Sequence, residues 1–105
     1  MKFGLFGGAV ARRGEETADS QGYGDFIDTV IEAEQLGFES IFIVEHHFSG
    51  GGQLSSSLNL LSYLAAKTST IRLGTAVTVL PWHNPVLIAE QAATVDLLSG
   101  GRLDF

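Results

Sequence analysis

The sequence predicts an α/β fold in which parallel strands alternate with helices, and three observations predict it. Short apolar runs stand at residues 3–6, 41–44 and 71–80, as expected of strands covered on both faces. The stretches between them carry apolar residues three and four apart, the period of a helix with one buried face. The pattern recurs at intervals of roughly 30 to 40 residues, the spacing of consecutive βα units.

The first strand, residues 3–6, ends in Gly7-Gly8, where a buried strand enters a loop. Residues 9–24 are rich in Gly, Glu, Asp, Ser and Arg without a sustained period, so they read as a long surface excursion of the kind that carries function. From Asp25 a helix begins: Phe26, Ile27, Val30, Ile31 and Ala33 share one face, while Asp28, Glu32 and Gln35 take the other. Gly37 stands where a left-handed helix end belongs, and Phe38 can fold back on the last turn. Residues 41–44 form the second strand, and Ser49-Gly50-Gly51-Gly52 a flexible loop after it.

Serines 55 to 57 offer N-caps for a second helix bearing Leu58, Leu61, Tyr63, Leu64 and Ala65, with Lys67 at its negative pole. The third strand runs from 71 to 80, interrupted by Gly74 and ended by Pro81. Asn84-Pro85 is an N-cap followed by proline at the first helical position, opening a third helix with Val86, Leu87, Ala89, Ala93, Val95 and Leu97 that stops at Gly100-Gly101. Residues 102–105 open a fourth strand. A (β/α)8 barrel and an open doubly wound sheet both fit this order. A complete barrel takes about 250 residues, so on the barrel reading residues 1–105 would be a single partial domain: three βα units and the start of strand four of a (β/α)8 TIM barrel.

Composition removes several classes of function. Asp and Glu number 12 against 6 Lys and Arg, a net charge of -6 with no basic stripe, which argues against nucleic acid as a partner. There is no cysteine, so neither a disulfide framework nor a thiolate metal site is available. The N-terminus lacks the pattern of a signal peptide, and no apolar stretch approaches the roughly 18 residues of a membrane span. A cytoplasmic location without membrane contact is the expectation.

The residues best placed for chemistry are Glu45-His46-His47, at the carboxyl end of the second strand, where barrel enzymes keep their active sites. Neighbouring strand side chains point to opposite faces, so one histidine is expected to meet a ligand or transfer protons and the other to hold structure. The alternative is that both bond only to loop backbone or to a partner subunit. Zinc is disfavoured, because adjacent histidines lack the helical spacing of a zinc protease and no third cluster appears, so no metal site is predicted. Gly74-Thr75-Ala76-Val77 keeps a strand surface low, either for a flat ring or for tight packing. No G-x-G-x-x-G opens directly into a helix, which counts against a dinucleotide fingerprint. Glu90 could steady an arginine or simply be solvated, and Trp82 and His83 could line a pocket mouth or pack over a strand end.

The start MKFGLF, EHHF after the second strand, LGTAVTVLP at the third, and NPVLIAEQAATVDLLSGGRLDF together resemble the luciferase-like monooxygenase family. The resemblance runs over nearly the whole chain and is weakest at residues 9–23. It implies a (β/α)8 barrel that binds reduced FMN, or in some branches a deazaflavin, and uses O2 to oxygenate a small organic substrate such as an aldehyde. It implies His46 as the catalytic histidine. It places Glu45 as the acid beside the flavin, Phe6 as an aromatic lining the pocket, and Ala76-Val77 as a non-proline cis peptide against the flavin ring. His47 matches a histidine toward the subunit interface, so a homo-oligomer is expected, supplied with reduced flavin by a flavin reductase. Asn84 departs from the pattern, because luciferases have a histidine before the helix-three proline. The arginine and phosphate-binding loops of later strands lie outside this chain, so a non-catalytic, self-associating interaction module is the alternative expectation.

Overall fold

The computed structural model describes residues 1–11, 20–49 and 51–105. Four short strands, β1 (Gly4–Gly7), β2 (Ser40–Ile43), β3 (Arg72–Thr75) and β4 (Leu103–Asp104), form one parallel sheet in the order β1-β2-β3-β4. Helices α1 (Ser20–Gln35), α2 (Ser57–Lys67) and α3 (Pro85–Ser99) connect them. A doubly wound sheet reverses its strand order at a switch point. Here each new strand adds beside the last without reversal, and that progression is the topology of a barrel wall.

Register sorts the strand side chains into two rows. Leu5, Ile41, Leu73 and Leu103 stand abreast on one face, while Phe6, Phe42, Gly74 and Asp104 stand abreast on the other. The first row faces the helices: Ile41, Ile43 and Leu73 are buried in one cluster with Val30, Leu61, Leu64, Ile88 and Val95. Each such side chain stabilises the fold by about 1.5–3 kcal/mol through area removed from water. The opposite row is the face a closed barrel turns inward. Gly74 makes no bulge there. A Cβ on Gly74 would lie 2.4 Å from the ring of Phe42, so the flat ring that this glycine accommodates is a phenylalanine of the adjacent strand.

Helix ends follow the capping chemistry of the sequence. At the end of α1, Gly37 takes φ 86°, its N–H reaches Glu34 O, and Phe38 N–H reaches Ala33 O. The end of α3 repeats this pair: Gly100 at φ 70° donates to Leu97 O and Gly101 to Asp96 O. Asn84 Oδ1 accepts from Val86 N and Leu87 N at 3.0 and 3.2 Å, capping α3 ahead of Pro85.

Three expectations need correction. The first helix starts at Ser20 rather than Asp25, because its opening turn is tied to the β2–α2 loop. Tyr23 Oη donates to Gln53 O at 2.9 Å, and Gly22 lies where a Cβ would be 2.4 Å from Val10 O. Residues 12–19 of the predicted excursion, and Gly50, lie outside the described residues. Ser56 occupies the N-cap position of α2 but its side chain makes no cap bond. The third strand ends at Thr75, not residue 80. Ala76 N still reaches Ile43 O, but beyond it Leu80 N turns to Thr78 O and Val79 N to a carboxylate, so the ladder stops. Leu80–Trp82 then makes one 3-10 turn.

The amino-terminal edge of the sheet is sealed by two charged side chains. Glu34 Oε1 accepts from the backbone N–H groups of Ser69, Thr70 and Ile71 at 2.7–2.9 Å, tying α1 to the α2–β3 turn. Arg102 donates to the carbonyls of Ala65, Thr68, Ile71 and Ser99 and to Thr68 Oγ1, joining the ends of α2 and α3 to β4. Among the described residues no helix is long and apolar enough to cross a membrane.

Candidate functional site

The carboxyl ends of β1, β2 and β3 form one rim, and the chain departs from each in a different direction. Val44 N donates to Gly7 O, which keeps the chain beyond β2 beside the end of β1. His46 N donates to Leu54 O, and the β1–α1 and β2–α2 loops run antiparallel through Gln53 N to Ala9 O and Ala11 N to Gly51 O. The strand then breaks away: Phe48 has φ 53°, a left-handed conformation that costs a residue with a Cβ. Its ring is almost wholly exposed.

Within Glu45-His46-His47 the alternation expected of an extended chain holds. His46 is exposed, and its Nδ1 edge lies against Gly52, where a Cβ would come within 2.5 Å. Together with Gly7, Gly8, Ala9, Val10 and Val44 it lines a cavity of about 220 Å³. Glu45 and His47, two residues apart, turn the other way. The Glu45 side chain is 0% exposed; its Oε1 meets His47 Nε2 at 2.7 Å and His83 Nε2 at 2.8 Å, and its Oε2 accepts from Val79 N at 3.0 Å. The His47 ring stacks on Trp82 with centroids 4.8 Å apart and planes 7° from parallel.

Burial is the largest influence on Glu45 and opposes its ionisation. The hydrogen bonds from His47, Val79 N–H and His83, together with the charge of His83, outweigh it and hold the carboxyl below the ordinary glutamate range. A carboxylate only accepts, so both imidazoles present Nε2–H to it.

The sequence-predicted residues therefore divide. His46, Phe6, Ala76 and Val77 gather on one rim, with Phe6 and Val77 exposed at 70% and 67%. The Ala76–Val77 peptide bond is cis. Glu45 sits behind them with both oxygens engaged inside the protein, so it offers no open face to a ligand. Glu90 lies exposed on α3. Sequence reasoning left Trp82 and His83 without partners; the signal for them was an acid and a histidine two apart, facing a Trp-His pair at the end of the next strand. Among the described residues no group of His, Asp or Glu is arranged to hold a metal ion.

The sequence profile of the luciferase-like monooxygenases matches residues 1–105. The chain belongs to that family. The alkanal monooxygenase beta chain of Vibrio harveyi is 30% identical over 105 residues, covering 100% of this chain and 32% of that protein. The oxygenating constituent of 3,6-diketocamphane monooxygenase from Pseudomonas putida, solved in complex with FMN, matches with a TM-score of 0.88 at 22% identity, over 98% of this chain and 28% of that one. The coenzyme F420 dependent tetrahydromethanopterin reductase of Methanopyrus kandleri matches with a TM-score of 0.74 at 26% identity, over 97% and 25%. This luciferase-like chain thus spans about a third or less of the length of these proteins, and its sheet and helices correspond to consecutive units of their TIM barrel.

Proposed function

We propose that this luciferase-like chain carries the first wall of a flavin site, in an enzyme that uses reduced FMN and O2 to oxygenate a small organic substrate such as an aldehyde. One observation carries the reading: an exposed imidazole, His46, shares a rim with uncovered apolar side chains, Phe6 and Val77. The fit is one of surface chemistry, because a flat aromatic ring removes from water the apolar area that these side chains leave open.

Reduced flavin supplies the electrons with which O2 is activated when it is bound. Phe6, Ala76 and Val77 would hold its ring, with Glu45 beneath them. His46 is the catalytic residue, holding or passing a proton at its ring nitrogen, the kind of contribution an imidazole makes near neutral pH. The cavity beside it, about 220 Å³ and lined mostly by glycine and valine, suits a small substrate or one end of a longer one. FMN is favoured by the FMN complex of the Pseudomonas putida neighbour, and the Methanopyrus kandleri neighbour supports a deazaflavin as the alternative. The reading includes a flavin reductase as donor, a cytoplasmic setting and a homo-oligomeric assembly.

The test uses the protein as its gene encodes it. Reduced FMN and a reduced deazaflavin are titrated anaerobically; oxygen is then admitted with an alkanal present, and oxygen uptake and carboxylic acid are measured. Saturable FMN binding with acid formed in step with oxygen consumed is the expected result. Absence of binding by both carriers would overturn the reading. A self-associating module is favoured by one observation, the exposed Val86, Leu87, Leu97 and Leu98 on α3, and it would bind neither carrier.

A further inference from the structure

We propose that Glu45 is a positioning residue for the flavin site, acting through the segment it holds rather than through contact with the flavin. The inference rests on the flavin reading above and adds to it a residue that works from behind the rim.

The segment in question, residues 76–83, leaves β3 and carries Ala76 and Val77 before reaching α3. Its internal hydrogen bonds are local turns: Leu80 N to Thr78 O, Trp82 N to Val79 O and His83 N to Leu80 O. Its attachments to β2 are few. Ala76 N is held by Ile43 O, Val79 N by Glu45 Oε2, and His83 Nε2 by Glu45 Oε1, while Trp82 lies on the ring of His47, which Glu45 Oε1 also fixes. Thr78 Oγ1, buried in the same stretch, has no hydrogen-bond partner among the described residues, so it anchors nothing. Among the described residues, three of these four ties to β2 therefore pass through one carboxylate. Val77 lies between the Ala76 tie and the Val79 tie, and both ends of its span are set by bonds to the β2 strand and its extension.

The chemistry of the knot is specific to a carboxylate. Both oxygens must accept, Oε1 from two donors and Oε2 from one. Glutamine keeps the volume but turns an NH2 toward either the Val79 N–H, donor against donor, or the two imidazoles, which must then both give up their Nε2–H for the other tautomer. Either one arm of the knot lets go or three charge-assisted bonds become weaker neutral ones, and the rim segment gains freedom where the ring of the flavin would rest. Small displacements of a binding surface are enough to cost large factors in affinity and turnover.

The experiment compares wild-type protein, Glu45→Gln and His83→Leu, each as the gene encodes it. Two-dimensional ¹H–¹⁵N spectra of the histidine side chains, taken without flavin, report the knot itself. The wild type should show two slowly exchanging Nε2–H signals, from His47 and His83; His83→Leu should lose one, and Glu45→Gln should shift or lose both. Anaerobic titration should then find reduced FMN bound roughly tenfold or more weakly by both variants. His46→Ala should leave that affinity nearly intact, so the two kinds of residue separate in a binding-against-turnover comparison. His83→Leu carries the test if Glu45→Gln does not fold, because His83 is partly exposed. Affinity within twofold of wild type in a variant whose imidazole signals have gone would overturn this proposal and leave the flavin reading standing. A wild type that binds no reduced FMN would overturn both.

Discussion

An imidazole that takes or gives a proton has to be reachable, and His46 meets that requirement while His47 and His83 spend their Nε2–H groups on Glu45. Replacing His46 with alanine is expected to slow turnover by roughly 10²–10⁴, the usual contribution of a positioned acid or base, with flavin affinity changed little. Single-turnover oxidation with an alkanal measures it, and an unchanged rate would take His46 out of the mechanism. Gly52 bears on the same ring from further along the β2–α2 loop. Gly52→Ala would place a methyl 2.5 Å from His46 Nδ1, so the ring must rotate or the loop retreat. A loss of turnover is expected with a stability cost of about 1–3 kcal/mol from overpacking; full activity would show that the ring's seat is unimportant. Strand alternation made it readable that His46 and His47 part, while the family resemblance rather than the alternation picked out His46. Neither revealed the partners of Glu45, since His83 lies 38 residues away and only the folded rim brings it within 2.8 Å.

At the scale of elements, the connections on the two edges of the sheet differ in kind. Glu34 holds the α2–β3 turn by three backbone N–H groups converging on one oxygen. Burial is the largest influence on its carboxyl and opposes ionisation, yet the bonds from Ile71, Thr70 and Ser69 prevail and lower its pKa below the ordinary glutamate range. A carboxyl whose pKa is lowered by folding adds stability that is fully present above its unfolded pKa and lost as pH falls through the folded one. Glu34→Gln is therefore expected to cost about 1 kcal/mol near neutral pH, the difference between charged and neutral acceptors, and to flatten the acid side of the stability profile. Urea unfolding at a series of pH values would show it, and parallel profiles for variant and wild type would refute it. Most of the elements were readable from apolar period and from Gly37, Asn84-Pro85 and Gly100. The start of α1 was not, because Gly22 and Gly24 look like helix breakers until the close approach of Val10 to Gly22 is seen. The end of β3 was also hidden. Residues 76–80 remain apolar or β-branched, and the ladder stops where Leu80 N turns to Thr78 O and Val79 N to Glu45.

At the scale of the whole molecule, the helix-facing side of the sheet is filled and the other surfaces are not. Val86, Leu87, Leu97 and Leu98 of α3 stand exposed, as do Phe3, Phe6 and Phe105. Exposed apolar surface of this extent invites association. The 105-residue chain expressed by itself is expected to elute from size-exclusion columns as concentration-dependent assemblies, and a monomer across a wide concentration range would contradict this. The joint at Arg102 gives the molecule a directional response to acid. Its partners are carbonyl oxygens and one hydroxyl, none of which titrates, whereas the bonds to Glu34 and Glu45 weaken once those carboxylates are protonated. Loosening should therefore begin where Glu34 and Glu45 hold the α2–β3 turn and the segment after β3, leaving the Arg102 joint between the ends of α2 and α3 as the last cooperative remnant, a sequence of melting that hydrogen exchange would resolve amide by amide.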